Sequence, residues 1–209
     1  MSDDATRGGP EHRLERLIFF SDAVFAIAIT LLVIEIKVPE VPHGAGDVAF
    51  INALLRLTPQ FIGFLISFYV IGAFWSGHHR AFALAANWSP RLMLANLNML
   101  MTIAAMPFFT AFVSDYGNTR VPVVAYCAWL VLTAEFNRRI QAIATRAPVL
   151  AKGCEAEAVL VRRRGTATLL GALTATIVAA LAPLPSLGQA ALMTIPLWRL
   201  ALGRIEKTA

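Results

Sequence analysis

The chain has 209 residues, of which 57% are hydrophobic and only 15% are charged, and its mean hydropathy is +0.64. An average soluble domain carries roughly 25% charged residues, so this composition excludes an ordinary water-soluble globule. At about 20 apolar residues per span, the length leaves room for roughly five to seven transmembrane helices and no sizeable soluble domain. The formal net charge of +5 does not indicate nucleic-acid binding, because basic residues beside apolar runs ordinarily set membrane orientation.

Six apolar segments follow one another along the chain, and they predict an all-α membrane protein with six spans. They cover residues 17–38, 58–79, 92–113, 122–135, 166–184 and 187–202. Pro59 favours a helix start at the second segment, and Pro107 predicts a kink in the third. Polar tails over residues 1–16 and 204–209 flank this six-helix domain of residues 17–203. The polar stretch from Arg138 to Arg164 is expected to be a solvated cytoplasmic linker, part of which can be helical.

The basic residues are distributed unevenly between the two sides that six spans define. Lys37, Arg56 and Arg120 would lie outside, and the other 15 of the 18 basic residues would lie in the tails and the remaining loops. Because cytoplasmic loops carry an excess of Lys and Arg, this asymmetry predicts that both termini are cytoplasmic. No small-residue cleavage site follows the N-terminal tail, so we expect a cytoplasmic tail and not a signal peptide.

One acidic residue, Asp22, lies about one turn inside the first apolar segment. An ionisable group in a membrane span is costly unless it has a partner or lines water. Arg16 precedes it by six residues, and the second segment ends with Trp75 and His78 on the same side. We therefore expect a polar network at the inner ends of the first two helices, formed by Arg16, Ser21, Asp22, Trp75 and His78.

An apolar stripe on the first helix lies nearly opposite Asp22 when residues are placed 100° apart. Ile27, Leu31 and Ile34 fall at about 140°, 180° and 120° from Asp22. Ala26, Ile29 and Val33 fall within about 40° of it, and Thr30 falls at about 80°. If the Asp22 face packs against the second helix, the stripe faces lipid, another helix or a neighbouring subunit, and the spacing does not choose among them.

A motif at the start of the first helix resembles that of a known family. Residues 16–22 read R-x-x-x-F-S-D, with Phe20 and Ser21 before the aspartate, and AIAITLLVIEIKVP follows. The stretches FLISFYVIGAFWSGHHRAF and NLNMLMTIAAMPFFTAF in the next two segments are similar as well. On these residues the chain resembles the transmembrane protein 175 family, the endosomal and lysosomal potassium channels and their prokaryotic relatives.

The resemblance implies a potassium-permeable cation channel in the plasma membrane of a prokaryote. Prokaryotic members have one six-helix unit per chain, and four chains surround a pore lined by the first helix. Their narrow point is formed by large apolar residues, the first located five positions after the motif aspartate. In this sequence the same positions predict a constriction formed by Ile27, Leu31 and Ile34, with Thr30 beside it. The residues Arg16, Phe20, Ser21, Asp22, Trp75 and His78 would then fasten the pore helix to its own subunit.

Other functional classes have less support in the sequence. Motifs of the H-E-x-x-H, G-x-x-x-x-G-K-[ST] and G-x-G-x-x-G kinds are absent, so we expect no enzyme, no cofactor and no metal site. The expected partners are potassium ions, the lipid bilayer and further copies of the chain. Two alternatives stay open, a proton-coupled secondary transporter using Asp22 and His78 and a non-conducting membrane scaffold. A carrier typically shows paired repeats with broken helices, and none is visible here.

Overall fold

The computed structural model describes residues 10–117 and 119–208, and these residues form a helical bundle, which confirms the all-α prediction. The helices are α1 (Pro10–Ile34), α2 (Asp47–Arg56), α3 (Thr58–Phe82), α4 (Pro90–Ala104), α5 (Met106–Asp115), α6 (Arg120–Ala144), α7 (Glu155–Leu181), α8 (Leu187–Ala191) and α9 (Ile195–Thr208). A 3-10 turn, Leu192–Thr194, joins α8 to α9. Within the described ranges no β-strand forms, and the sole extended pairing is an antiparallel bridge between Ala85 and Leu150.

Four segments of the described chain are long and apolar enough to cross a membrane. They are His12–Ile34, Thr58–Phe82, Pro90–Asp115 and Glu155–Leu181, and they correspond to the first, second, third and fifth predicted spans. The chain is therefore a multi-pass helical membrane protein by length and composition. Helix α6 has 25 residues, but its second half carries Glu135, Arg138 and Arg139. The sixth segment is divided between α8, the 3-10 turn and α9, so the count of six spans stays a prediction.

Prolines mark the starts of the membrane helices. Pro59, Pro90 and Pro107 each lie in the first turn of α3, α4 and α5, where the missing N–H would have had no partner within the helix. Ser89 caps α4, since its hydroxyl accepts from the backbone N–H of Leu92 at 3.1 Å. Pro107 breaks the third segment into α4 and α5, which agrees with the predicted kink.

Two boundaries at the first helix differ from the prediction. Helix α1 begins at Pro10, inside the predicted polar tail, and ends at Ile34, four residues before the predicted end. The early start is explained by Leu14 and Leu17, which are buried in the core and extend the packed face by a further turn. The loop after α1 contains a helix of its own, α2, which the sequence analysis did not predict.

The stretch from Arg138 to Arg164 is partly helical, as the sequence allowed, but the prediction that it is solvated is wrong. Helix α6 continues to Ala144 and α7 begins at Glu155, so only a short connection lies between them. That connection is packed against the bundle, because Val149 is buried and its carbonyl accepts from the N–H of Ala86 at 2.8 Å. Charged residues in this stretch alternate with buried ones at helical spacing. The buried set is Ile140, Gln141, Ala144, Ala158 and Val161.

The core lies between helices that pack side by side, many of which are not neighbours in the chain. Helix α6 packs along α7 and also against α4, and α1 packs against α3, α4 and α5. Large buried side chains such as Phe25, Ile71, Met99, Ile103 and Tyr126 fill the space among them. Helix α1 therefore lies at one edge of the bundle, with α3, α4 and α5 on one side of it.

Candidate functional site

Helix α1 has one buried face and one exposed face. The buried face contains Leu14, Leu17, Ser21, Phe25, Ala28 and Leu32. On the other side, Ile27, Leu31 and Ile34 are exposed to 58%, 39% and 60%. The predicted stripe thus lies on the surface of the subunit, where it can meet lipid or another chain.

The buried face of α1 is turned from the position that the helical wheel predicted. Asp22 is only partly buried and lies at the edge of the contact, while Ala26 and Val33, which were expected to pack with it, are exposed. Ser21 points to the centre of the contact instead. Adjacent residues lie 100° apart on a helix, so choosing Ser21 as the inward residue rotates the packed face by that amount. Asp22 therefore contacts α3 at the margin of the packed face, and the centre of that face lies at Ser21.

A buried hydrogen-bonded chain joins α1, α3 and α4 through Ser21, Asn96 and His78. The Asn96 amide Nδ2 donates to Ser21 Oγ at 2.9 Å, and Ser21 donates to its own Leu17 carbonyl at 2.7 Å. His78 Nε2 lies 2.7 Å from Asn96 Oδ1. Because an amide oxygen only accepts, the His78 ring must carry its proton on Nε2 and donate it. These three side chains are satisfied within the core.

The His78 ring is also held by aromatic contacts. Its centroid lies 4.3 Å from that of Phe82 in a stacked arrangement and 5.5 Å from that of Phe25 on α1. Such contacts fix the ring plane, so its Nε2–H remains aimed at Asn96. His78 thus contributes to the attachment of α1, but it does so through Asn96 and Phe25 and not through Asp22.

Asp22 has a separate partner on α3. The indole N–H of Trp75 donates to Asp22 Oδ1 at 2.8 Å, and the Trp75 ring stacks on His79 at 5.6 Å. A hydrogen bond to a carboxylate is roughly twice as strong as one between neutral groups. The predicted single network is therefore divided in two, because Ser21 and Asp22 leave the helix in directions 100° apart.

Arg16 and Phe20 lie outside both hydrogen-bonded groups in the described part of the chain. Both are exposed, and both line a shallow surface pocket with Trp88 and Met93. At 100° per residue, Arg16 falls about 120° from Asp22 and Phe20 about 160°, on the same side as the apolar stripe. The expected contact of Arg16 with Asp22 does not form, since the helix turns the two side chains apart.

Thr30 lies beside the stripe on the exposed face of α1. Its hydroxyl donates to the Ile27 carbonyl of the preceding turn at 2.9 Å. Because the proton is used within the helix, the hydroxyl presents its remaining lone pairs outward. Thr30 can therefore offer an oxygen acceptor next to apolar side chains.

A further buried polar group was not predicted from the sequence. Thr110 Oγ1 lies 2.7 Å from Ser67 Oγ, which lies 3.1 Å from the hydroxyl of Tyr126. These residues join α5, α3 and α6 in the same way that Asn96 joins α4 to α1. The available signal was the presence of hydroxyl side chains inside apolar helices, since such groups commonly bond between membrane helices.

Comparisons with known proteins agree on one family. The family model described as the endosomal/lysosomal potassium channel TMEM175 matches residues 16–107, which include most of α1 and all of α3 and α4. A potassium channel of Chamaesiphon minutus is 39% identical over 142 residues, an alignment that covers 66% of this chain and 69% of the relative. A potassium channel of Streptomyces collinus is 43% identical over 101 residues, which is 48% of each protein.

The solved structures give the same result for the fold. The crystal structure of a lysosomal potassium-selective channel TMEM175 homolog from Chamaesiphon minutus superposes with a TM-score of 0.76. The superposition covers 91% of this chain and 98% of that chain at 29% sequence identity. The likeness therefore extends beyond the motif at α1 and includes the helices that follow residue 107.

Proposed function

Because the chain belongs to the TMEM175 family of potassium channels, we propose that it conducts potassium passively through a central pore lined by α1. The family consists of ion channels, not enzymes. The observation that carries the proposal is the position of Ile27, Leu31 and Ile34. These large apolar residues are exposed on the face of α1 directed away from the helices that hold it.

The proposed topology has six spans with both termini in the cytoplasm. In addition to the four long apolar segments, α6 is about 37 Å long at 1.5 Å per residue, which is enough to cross a bilayer. The α8–α9 segment packs along α7 and would return the chain to the cytoplasmic side. The placement of Lys37, Arg56 and Arg120 outside, against 15 basic residues inside, supports this orientation. We assign the protein to the plasma membrane of a prokaryote.

The proposed assembly is a homotetramer with α1 of each subunit at the axis. Helix α1 supports this arrangement because it lies at an edge of the subunit, with α3, α4 and α5 behind it. Four exposed stripes meeting at the axis would remove their apolar surface from lipid. Arg16 and Phe20 lie on the same side of α1, about two to three turns before the stripe, and would lie at the cytoplasmic entrance or between subunits.

The gate that we propose is hydrophobic. Rings of Ile27, Leu31 and Ile34 from four subunits would extend over seven residues, or about 10 Å along the axis. A narrow apolar constriction excludes water and closes by dewetting, so conduction requires the rings to widen. The Thr30 oxygens beside the rings would replace part of the water around a passing cation. Potassium loses its hydration more easily than sodium, which favours a modest potassium preference.

The two hydrogen-bonded groups on α1 support a fastening role for its polar residues. Ser21 bonds to Asn96 inside the core, and Asp22 bonds to Trp75 at its edge. Together they fix both the rotation and the height of α1 against its own subunit. A helix held in this way keeps its stripe in one register at the axis, which a ring constriction requires. Asp22 is then a structural acceptor and not a ligand for permeating ions.

The alternative to a channel is a proton-coupled carrier that uses Asp22 and His78. In the described structure these residues bond to different partners, Trp75 and Asn96, so they form no direct relay. The test is potassium flux into liposomes that contain purified protein, with empty liposomes as the control. The channel predicts a current that follows the potassium gradient and voltage at equal pH on both sides. Flux that occurs only with a proton gradient would indicate a carrier. The absence of flux would indicate a non-conducting membrane scaffold.

A further inference from the structure

A cavity of about 100 Å³ lies between α3, α6, α7 and α9, away from the proposed pore face of α1. A cavity of roughly 10–15 Å³ already holds one water, so this one has room for several waters or for a larger group. Its apolar end is lined by Val70, Phe74, Leu130, Ala172 and Ile195, and its polar end by Arg80, Asn137, Gln141, Arg164 and Arg199. The cavity extends along the helix axes from its apolar end to its polar end. Val70 and Arg80, which mark these ends on α3, are ten residues or about 15 Å apart.

Three guanidinium groups converge at the polar end. Arg164 and Arg199 are exposed there and Arg80 is partly buried, and the like charges of the other two act on Arg80. Arg80 donates to Ser76 Oγ, a neutral partner. Among the described side chains no carboxylate lines the cavity or pairs with Arg164 or Arg199. Three cations held together without a counter-charge form a site for an anion.

Two buried amides, Asn137 and Gln141, lie beside the arginines, and their oxygens lack hydrogen-bond partners in the described structure. Asn137 and Gln141 on α6 are each only 3% exposed, and Asn137 Oδ1 and Gln141 Oε1 have no hydrogen-bond partner within the described structure. They fit because Gly77 and Gly165 leave room, since a Cβ at Gly165 would collide with Gln141 Oε1. A side-chain amide presents either its oxygen or its NH2 group by rotating about its last bond. An anion cannot partner an amide oxygen, but the NH2 groups of Asn137 and Gln141 lie next to Gly77 at the cavity wall, where they can donate to an anion.

We propose that this cavity binds an anionic lipid, with the lipid phosphate at Arg80, Arg164 and Arg199 and part of an acyl chain along the apolar end. Guanidinium groups bind phosphate oxygens through paired N–H donors, and the amides of Asn137 and Gln141 supply further donors. Basic pockets between membrane helices on the cytoplasmic side bind anionic headgroups. The apolar end favours a lipid over free phosphate, because a small hydrophilic ion would leave it empty.

The test measures which lipid stays bound to the purified full-length protein. Wild type in detergent is mixed with equal amounts of phosphatidylglycerol and phosphatidylcholine, and retained lipid is counted by native mass spectrometry. The variant Arg164→Gln/Arg199→Gln removes two charges from the cavity. The matched control, Arg91→Gln/Arg146→Gln, removes two exposed charges that do not line it. Thermal unfolding with inorganic phosphate alone forms a separate arm.

Wild type and the control are expected to retain phosphatidylglycerol preferentially. Each basic residue at an anionic lipid surface contributes roughly a fivefold preference, so the cavity variant should lose about twenty-five-fold. The Arg164→Lys/Arg199→Lys variant keeps the charges and should lose much less. An equal loss in the cavity and control variants would overturn the proposal, as would retention of both lipids equally by wild type. Stabilisation by inorganic phosphate without any lipid preference would also overturn it, because the ligand would then be free phosphate.

Discussion

Asn96 Nδ2 donates to Ser21 Oγ over 2.9 Å, and this contact joins α4 to α1 at a point where both side chains are fully buried. Because Asn96 also accepts from His78, a single amide connects three helices. Ile27, Leu31 and Ile34 are directed about 80° to 140° away from Ser21 around α1, outside its buried face. The rotation of the proposed pore helix is therefore set by polar contacts behind it.

Replacing Asn96 with Leu should destabilise the subunit. The change removes two hydrogen bonds and leaves Ser21 and His78 without their partner in the core. A buried polar group left unpaired costs about 1–3 kcal/mol, and we expect a loss in the unfolding free energy of that order. Reversible unfolding in SDS measures it. Asn98→Leu is the matched control, because Asn98 lies on the same helix and is only partly buried; an equal loss in both variants would contradict a specific role for Asn96.

Asp22→Ala should reduce the yield of assembled tetramer, whereas Asp22→Asn should reduce it much less. Asparagine keeps a side-chain oxygen that accepts from Trp75 Nε1, and alanine does not. Trp75→Phe removes the donor and should resemble Asp22→Ala, with the double variant no worse than either single one. Size-exclusion chromatography with cross-linking measures the yield. Normal assembly of Asp22→Ala would count against the fastening role.

Hydropathy predicted the fold class, and the family resemblance singled out Ile27, Leu31 and Ile34, but the sequence did not predict how α1 is turned. A carboxylate in an apolar helix is costly to bury, so Asp22 served as the reference of the helical wheel, and whether its face packs against the second helix stayed open. The actual centre is Ser21, whose hydroxyl is inexpensive to bury once Asn96 is opposite it. A contact between residues 21 and 96 depends on how α4 lies against α1, and helical periodicity carries no information about that.

The polar stretch after Glu135 was misinterpreted for a related reason. Its charge density is that of a solvated loop, whereas its buried residues recur at helical spacing. Arg138 and Arg139 both bond to Glu135 on the helix surface, so their charges are compatible with a regular helix. The contact face of α6 on α7 then follows from residues such as Ile140 and Ala144. The high average charge of the stretch after Glu135 does not indicate that its apolar residues lie on one face of a helix.

Gly188→Ala should destabilise the protein, and Gly72→Ala should not. A Cβ at Gly188 would lie 2.5 Å from Ala179 Cβ and 2.9 Å from the Ala175 carbonyl on α7, and neither neighbour has a rotamer to change. Overpacking of this kind costs about 1–3 kcal/mol. A Cβ at Gly72, inside α3, meets nothing within 4 Å, so helix propensity should stabilise that variant by up to about 1 kcal/mol. Unfolding in SDS measures both, and a change of the same sign would contradict the packing of α8 on α7.

Ile27→Ala and Leu31→Ala should leave assembly intact and raise conductance several-fold, with a lower preference for potassium over sodium. Each change removes apolar atoms from a proposed ring at four places, which widens it and lowers the cost of wetting. Val33→Ala is the matched control, since Val33 is exposed to 50% on the same helix but lies outside the stripe. Single-channel recording under potassium and sodium gradients measures both quantities. If Val33→Ala changes them as much as Ile27→Ala does, the stripe does not line the ion path, because a pore wall responds only at the residues that face it.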